Sequence, residues 1–227
     1  MANLLAKIKT DQDEFFANPE RRCPCVLLVD KSYSMDGQKI AELNAGMELL
    51  HKELSADELA TKRVDMSIIS FGPVKVEQNF ATVGKFTMPT LQADGGTPMG
   101  EAIELALKMT ENRLSSYESA GITSYAPWVF MITDGEATDD LAGAMAAIKE
   151  TEEQRRLMFY AIGVDGADMS QLASLSRIPA MKLNGLAFKE LALYISISMR
   201  SVANAKPGDK INIPNPEVTG FGQIVVE

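Results

Sequence analysis

The stretch CVLLVDKSYSMDG, residues 25–37, is the strongest indication of the fold of this chain. Its first half is an apolar run of branched residues, which is typical of a strand buried on both faces. The run stops at Asp30, and hydroxyl side chains follow at Ser32 and Ser34 before an Asp-Gly turn. A carboxylate and hydroxyls crowded at the end of a strand are oxygen ligands that a hard cation such as Mg²⁺ accepts. The stretch therefore predicts a central strand with part of a metal site at its carboxyl end.

The rest of the chain alternates between strand and helix patterns. Apolar residues recur every three or four positions over 40–54, which predicts an amphipathic helix. Segment 64–71 has the pattern of a strand, and the turn at Gly72-Pro73 leads into 74–80, whose alternating polarity indicates an antiparallel edge strand. Further strands are predicted at 128–133, 157–164 and 180–183, and further helices at 98–114, 139–148, 169–176 and 186–203.

This alternation predicts an α/β fold. Strands that alternate with helices form a mostly parallel sheet with helices on both faces and right-handed crossovers. We expect a Rossmann-like open sheet of about six strands, about five of them parallel and one antiparallel at an edge. The predicted domain spans residues 22–204, after an N-terminal leader at 1–21 and before an extended C-terminal tail at 205–227 that contains several Pro and Gly residues.

The charge and hydropathy of the chain argue against several classes of function. With 31 acidic and 22 basic residues, the net charge is −9, whereas nucleic-acid binding needs clustered Lys and Arg. An acidic chain is better suited to cations or to basic protein surfaces. No apolar run approaches the roughly 20 residues that span a bilayer, and charged residues interrupt the N-terminus. We therefore expect no nucleic-acid partner, no membrane segment and no signal peptide.

The cysteines and the histidine do not form a metal site in the sequence pattern. Cys23 and Cys25 lie two positions apart on an extended segment, which lacks the geometry of a disulfide. As metal ligands they would need two further Cys or His residues, and the single histidine, His51, lies in a different segment. We expect free thiols that pack at the start of a strand, in a reducing compartment, which favours a cytoplasmic location.

Two later segments add oxygen ligands to those of the first strand. The loop LQADGGTPMG, residues 91–100, opens a helix, and Pro98 at its first position makes Thr97 the expected N-cap. The Thr97 hydroxyl also has lone pairs for a neighbouring site, which the two preceding glycines allow the backbone to approach. The strand at 128–133 again ends on an acid, Asp134.

These segments are expected to meet. Ligands of open parallel sheets bind outside the carboxyl ends of the strands, where the strand order reverses. If the two strands that end on an acid are neighbours, a cation between their carboxylates relieves the repulsion. Five side chains are then expected to converge on the ion: Asp30, Ser32, Ser34, Thr97 and Asp134.

Taken together, these motifs resemble the von Willebrand factor type A (VWA) family. The match is carried by Asp30-x-Ser32-x-Ser34, by Thr97 within Gly-Gly-Thr-Pro-Met, and by Asp134 followed by Gly-Glu, in this order along residues 22–204. The resemblance implies a metal-ion-dependent adhesion site (MIDAS). In such a site the three hydroxyls bind Mg²⁺, or Mn²⁺, both aspartates bind directly or through water, and a Glu or Asp of a partner protein completes the coordination.

The sequences of two motifs are similar to those of one subgroup of that family. GGTPMG and TDGEATD, at residues 95–100 and 133–139, resemble the bacterial tellurite-resistance (TerY-type) proteins. This resemblance implies a stress-response system that includes a protein kinase and a phosphatase, either of which is a candidate partner.

Two residues depart from the family pattern. Lys31 stands where the family commonly has a small or β-branched residue, and Tyr33 stands where it commonly has Gly. One interpretation is that both are solvated loop residues. The other is that they form, with Glu136, a rim that contacts the partner, because Tyr is favoured at interfaces and Lys pairs with carboxylates.

We therefore interpret the chain as a metal-dependent binding module and not as an enzyme. The alternative is a Mg²⁺-dependent phosphohydrolase in which Asp30 is the nucleophile. Phosphatases of the haloacid dehalogenase kind have a second aspartate two residues after the nucleophile, where this chain has Ser32. The sequence contains no P-loop motif, which argues against a P-loop nucleotidase. A structural domain with a vestigial ion site is the third alternative.

Overall fold

The computed structural model describes residues 15–206, 209–211, 213, 215, 220 and 222–224. Residues 1–14 of the predicted leader lie outside the described residues, as do the remaining positions of the predicted tail. The fold and the candidate site below are built from the described residues.

Within the described residues, one sheet of seven strands forms the centre of the molecule. Its order is β3-β2-β1-β4-β5-β6-β7. Strands β1, β2, β4, β5 and β6 run parallel, and β3 pairs antiparallel with β2 at one edge, which confirms the predicted sheet. The strands are β1 Cys23–Asp30, β2 Val64–Phe71, β3 Lys75–Thr82, β4 Trp128–Thr133, β5 Met158–Gly163, β6 Met181–Leu183 and β7 Gly222–Ile224.

The short strand β7 is a feature that the sequence pattern did not predict. It comes from the predicted tail and pairs antiparallel with β6, with Leu183 opposite Gly222. A Cβ at Gly222 would lie 2.4 Å from the carbonyl oxygen of Lys182, so the close approach of this strand requires glycine. The tail therefore extends the sheet beyond its last parallel strand.

Helices cover both faces of the sheet, as predicted. They are α1 Gln38–Ser55, α2 Glu58–Arg63, α3 Met99–Ser119, α4 Ala142–Glu153, α5 Met169–Leu175 and α6 Phe188–Asn204, with short 3₁₀ turns at Tyr33–Met35 and Val83–Lys85. Successive side chains of β1 point to opposite faces. Leu27 packs in the core beneath α1 and α6, whereas Val26 packs in the core beneath α3 and α4. No helix in the described part of the chain is long and apolar enough to cross a membrane.

The order of the strands reverses at the centre of the sheet. The chain moves from β1 outward to β2 and β3, and then returns to the other side of β1 with β4. The register places Val29 beside Ile132, so the carboxyl ends of β1 and β4 are adjacent. This is the position at which open parallel sheets bind ligands. The neighbouring strands on which the predicted site depends are therefore present.

A buried ion pair fastens α3 to the sheet. Arg113 donates from Nε to Oδ2 of Asp65 at 2.7 Å, and its Nη2 lies 2.7 Å from the same oxygen. The hydroxyl of Tyr117 donates to that oxygen as well. All three side chains are buried, and this burial raises the pKa of Tyr117 well above its ordinary value, so its phenol remains a donor. Helix α3 begins two residues after Thr97, and the pair thereby fixes the helix that follows this candidate ligand.

We predict that Arg113→Met destabilises the fold by about 3–5 kcal/mol, because it leaves the buried Asp65 carboxylate without its partner. The measurement is the free energy of unfolding in urea. Lys62→Met is the matched control, since it removes a surface partner of Glu58 and should change stability little. An Arg113→Met variant as stable as the control would contradict the assigned role of the pair.

Candidate metal centre

Loops from distant parts of the chain meet at the carboxyl ends of β1 and β4. The amide of Tyr33 donates to the carbonyl of Gly95 at 3.1 Å, which joins the loop after β1 to the loop before α3. The amide of Thr138 donates to the carbonyl of Thr97 at 2.9 Å, which joins the loop after β4 to the same segment. The loops that carry the predicted ligands therefore form one continuous surface.

Gly95, in the loop before α3, permits this close packing. Gly95 has a φ of +69°, and a Cβ on it would lie 1.6 Å from the carbonyl oxygen of Gly72. The amide of Asp94 donates to the carbonyl of Lys31 at 2.7 Å. Only glycine fits between the β2–β3 turn and the loop after β1 in this conformation.

Asp30 lies at the base of the site and is fully buried. Its Oδ1 accepts a hydrogen bond from the amide of Ser32 at 2.8 Å, and its Oδ2 accepts one from the hydroxyl of Thr133 at 2.5 Å. Burial raises the pKa of the Asp30 carboxyl, the charge of Asp134 adds to the rise, and the hydrogen bonds from Ser32 and Thr133 oppose it. Among the described residues only neutral donors contact this buried carboxylate, so a cation beside it would be stabilising.

The two serines connect Asp30 to Asp134. The hydroxyl oxygens of Ser32 and Ser34 are 2.9 Å apart, and Ser34 donates to Oδ1 of Asp134 at 2.7 Å. Asp134 and Ser32 are each only 3% exposed, whereas Ser34 is exposed. The cluster is therefore closed at its base and open to solvent beside Ser34.

The hydroxyl of Thr97 belongs to the same cluster. A Cβ on Gly135 would lie 3.3 Å from Oγ1 of Thr97 and 3.9 Å from Oδ2 of Asp30, so both oxygens border this glycine. Thr97 is 6% exposed. The five predicted ligand residues, Asp30, Ser32, Ser34, Thr97 and Asp134, are thus brought together by the fold.

The expectation that Thr97 caps the following helix is wrong. Helix α3 begins at Met99, and no side chain of its own N-cap position bonds to its amides. The carboxylate of Asp139 accepts from the amides of Gly100 and Glu101 at 3.0 and 2.9 Å. Its position at the start of a helical pattern predicts that Asp139 caps α4, but it caps α3 instead. The Thr97 hydroxyl is left for the site because a residue from another loop performs the capping.

The donor set fits a hard divalent cation. In the described part of the chain, no group of three or more His, Cys, Asp or Glu side chains is arranged to hold a metal ion. An ion here would rely on the carboxylates of Asp30 and Asp134 and on three hydroxyls, all of them oxygen donors. Mg²⁺ prefers such ligands and retains several water molecules when few carboxylates bind it. The burial of the Asp30 carboxylate, which accepts from the amide of Ser32 and the hydroxyl of Thr133, supplies a physical reason for a cation at this position.

The predicted rim residues lie in different environments. Tyr33 is 69% exposed, and Glu136 is exposed, so both are available beside the open side of the cluster. The side chain of Lys31 is only 12% exposed, and its Nζ lies 3.6 Å from Oε1 of Glu77 on β3. The Lys31 ammonium is therefore engaged within the chain.

Lys39 and Thr133 are site residues that the sequence interpretation did not identify. The Lys39 ammonium donates to Oδ2 of Asp134 and, at 3.1 Å, to the carbonyl of Asp165. No local pattern marks Lys39, which resembles any basic residue in the first turn of a helix. Thr133 could have been found, because it ends β4 directly before Asp134, in the strand predicted to lie beside Asp30.

Comparison with known proteins agrees with this architecture. The family model of the von Willebrand factor type A domain matches residues 25–192. Among solved structures, proximal thread matrix protein 1 from the mussel byssus has 14% identity and a TM-score of 0.58, covering 80% of this chain and 48% of its own. The pilus adhesin SpaC from Lactobacillus rhamnosus GG has 10% identity and a TM-score of 0.62, covering 81% and 30%. The VWA domain of SpRpn10 has 13% identity and a TM-score of 0.51, covering 68% and 82%.

These likenesses define the fold. The chain spans about half of the mussel protein and less than a third of the pilus adhesin, and no curated protein matches it. The mussel protein has also been solved with zinc in its MIDAS motif. VWA domains commonly bind metal and mediate protein–protein interactions. Because the family model covers well over half of its 227 residues, the chain belongs to the von Willebrand factor type A domain family.

Proposed function

We propose that this chain is a protein-interaction module that holds a divalent ion and uses it to bind a Glu or Asp side chain of a partner protein. Mg²⁺ is the proposed ion, with Mn²⁺ as the alternative. The observation that carries the proposal is the convergence of two buried carboxylates and three hydroxyls at the carboxyl ends of β1 and β4, open to solvent beside Ser34.

The residues of the site would have two roles, holding the ion and orienting its ligands. Asp30, Ser32, Ser34, Thr97 and Asp134 would hold the ion, whose charge would attract the partner's carboxylate. The amide of Ser32 and the hydroxyl of Thr133 orient Asp30, and they keep its carboxylate in one position. Ser34 is the exposed member of the set, so the partner would approach from its side.

The surface around the opening favours a partner acid that is flanked by basic residues. Exposed acidic residues lie in the loops after β1, β4 and β5, at Asp36, Glu136 and Asp165. These charges repel a uniformly acidic surface and attract nearby Lys or Arg side chains. Tyr33, which is exposed beside them, provides a large apolar contact of the kind that dominates many interfaces.

We further propose that the chain is not an enzyme. Both oxygens of the Asp30 carboxylate are engaged by hydrogen bonds and the side chain is fully buried, which does not favour a nucleophile. Turnover of an aryl phosphate in Mg²⁺ that is lost in Asp30→Asn would contradict this proposal and favour the phosphohydrolase.

The cellular setting is proposed from the sequence resemblance. The amino-acid sequences of the motifs around Thr97 and Asp134 support a role in a bacterial stress-response system of the tellurite-resistance kind, with a kinase or a phosphatase as partner. The free and buried thiols of Cys23 and Cys25 are consistent with a reducing cytoplasm. A kinase gene and a phosphatase gene beside this one would support the assignment, and their absence would leave only the binding module.

We predict that Asp134→Ala abolishes saturable Mg²⁺ binding in isothermal titration calorimetry, because it removes one of the two carboxylates. Asp36→Asn is the matched control, since it removes an exposed acid in the neighbouring loop. Equal Mg²⁺ affinity in the wild type and in Asp134→Ala would remove this site from the proposal.

We predict that Asp30→Asn raises Tm in EDTA at pH 7–8 by about 2–4 °C, the shift that roughly 1 kcal/mol produces in a domain of this size. Because the pKa of Asp30 is raised in the folded chain, protonation of Asp30 stabilises the fold. This stabilisation is complete below the ordinary carboxyl pKa, and it is lost as the pH rises through the raised pKa. The advantage of Asn should therefore fade towards pH 4. A variant less stable than the wild type at pH 7–8 would show that the buried carboxylate is not destabilising.

We predict that a peptide with one Glu between two Arg residues binds only when Mg²⁺ is present. The measurement is the NMR shift of the amides of Ser32, Ser34 and Gly135 at millimolar peptide. The control peptide carries Gln in place of Glu. Shifts that persist in EDTA, or that the Gln peptide reproduces, would contradict recognition of a carboxylate through the ion.

A further inference from the structure

Lys39 places a positive charge directly on the candidate metal centre. It lies in the first turn of α1, and its ammonium donates to Oδ2 of Asp134 and to the carbonyl of Asp165. The Asp134 side chain is 0% exposed, whereas that of Lys39 is 27% exposed. One end of this contact is thus fixed and buried, and the other belongs to a long side chain that reaches in from the surface.

The contact completes the hydrogen bonding of Asp134. Its Oδ1 accepts from Ser34, and its Oδ2 accepts from Lys39. A Cβ on Gly166 would lie 3.1 Å from the carbonyl oxygen of Asp134 and 4.0 Å from Nζ of Lys39, so the loop after β5 packs around this contact. Lys39 thereby ties α1 to the loops that follow β4 and β5.

We infer that Lys39 is an internal counter-ion of Asp134 that a divalent ion must displace to bind. This inference rests on the proposed metal site and adds to it a residue that sets its affinity. An ammonium and a divalent cation repel each other, and they compete for the same carboxylate oxygen. The four-carbon stem of a lysine is flexible, and the partial exposure of Lys39 gives its ammonium a path to solvent.

The exchange has a consequence in each state of the chain. Without a divalent ion, Lys39 neutralises one of the two buried carboxylates and holds three segments together. With the ion bound, the displaced ammonium stays close to the opening, since its backbone is fixed in α1. The chain therefore has a lower affinity for divalent ions than the same oxygen ligands would have without the lysine.

The test compares four variants of the full chain. Lys39→Met and Lys39→Gln remove the charge, and the Gln side chain retains hydrogen-bonding groups if the Met variant does not fold. Lys39→Arg retains the charge. Lys52→Met, at an exposed position near the end of α1, is the matched control. The measurements are Mg²⁺ affinity by calorimetry and Tm in EDTA.

We expect the charge-removing variants to bind Mg²⁺ at least about tenfold more tightly than the wild type. Lys39→Arg and Lys52→Met should remain near the wild-type affinity. In EDTA the charge-removing variants should unfold at a lower temperature than Lys52→Met, because Asp134 loses its counter-ion.

The opposite outcomes separate the two proposals. Unchanged or weaker Mg²⁺ affinity in Lys39→Gln, or an unchanged Tm in EDTA, would overturn the role of Lys39, whereas the metal site would stand if Asp134→Ala still abolished binding. Absence of Mg²⁺ binding in every variant would overturn both. Binding that appears only after the charge is removed would support the role of Lys39 and contradict metal binding by the native chain.

Discussion

The burial of the Asp30 carboxylate at the end of β1 is the constraint on which the site depends. A strand covered on both faces places its last residue away from water, and a charge there is costly unless other groups compensate for it. The fold brings the amide of Ser32 and the hydroxyl of Thr133 to that carboxylate, but in the part of the chain that the structure describes no donor with a full charge contacts it. The converging loops, the hydroxyl cluster and the proposed ion can all be understood as consequences of this one buried charge.

A second buried aspartate, Asp65, has its charge compensated by side chains of the chain itself. Asp65, beside Pro24 at the other end of the sheet, receives both the guanidinium of Arg113 and the hydroxyl of Tyr117. That pair is internally neutral, and it fastens α3 without any need for a ligand. Within the described residues Asp30 has no such charged partner, and it lies where the strand order reverses. The contrast between the two acids, in one sheet, distinguishes the carboxylate of the candidate metal centre from the structural one.

Local patterns predicted the central strands, the antiparallel edge and the five residues that converge at the candidate site, because apolar periodicity and strand-ending acids are visible in the sequence. The individual hydrogen bonds between distant residues were not predictable in this way, although the topology of the sheet predicted that the ligand loops meet. The rule that places a cap before Pro98 assigned Thr97 to the wrong task, since Asp139, from another loop, bonds to the first amides of α3. Lys39 and β7 were missed for the same reason: neither has a signature in its own neighbourhood.

The charge balance of the site connects Lys39 to the recognition of an acid. Two carboxylates and one divalent ion sum to zero, and a neutral centre attracts a third carboxylate only weakly at long range. The displaced ammonium of Lys39 would restore one positive charge beside the opening, where the partner's Glu or Asp arrives. The exposed acids Asp36, Glu136 and Asp165 would act in the opposite sense and would disfavour an acid that lacks basic neighbours. Affinity for the partner's carboxylate would then come from Lys39 of α1. Selection among different carboxylates would come from the acids of the surrounding loops.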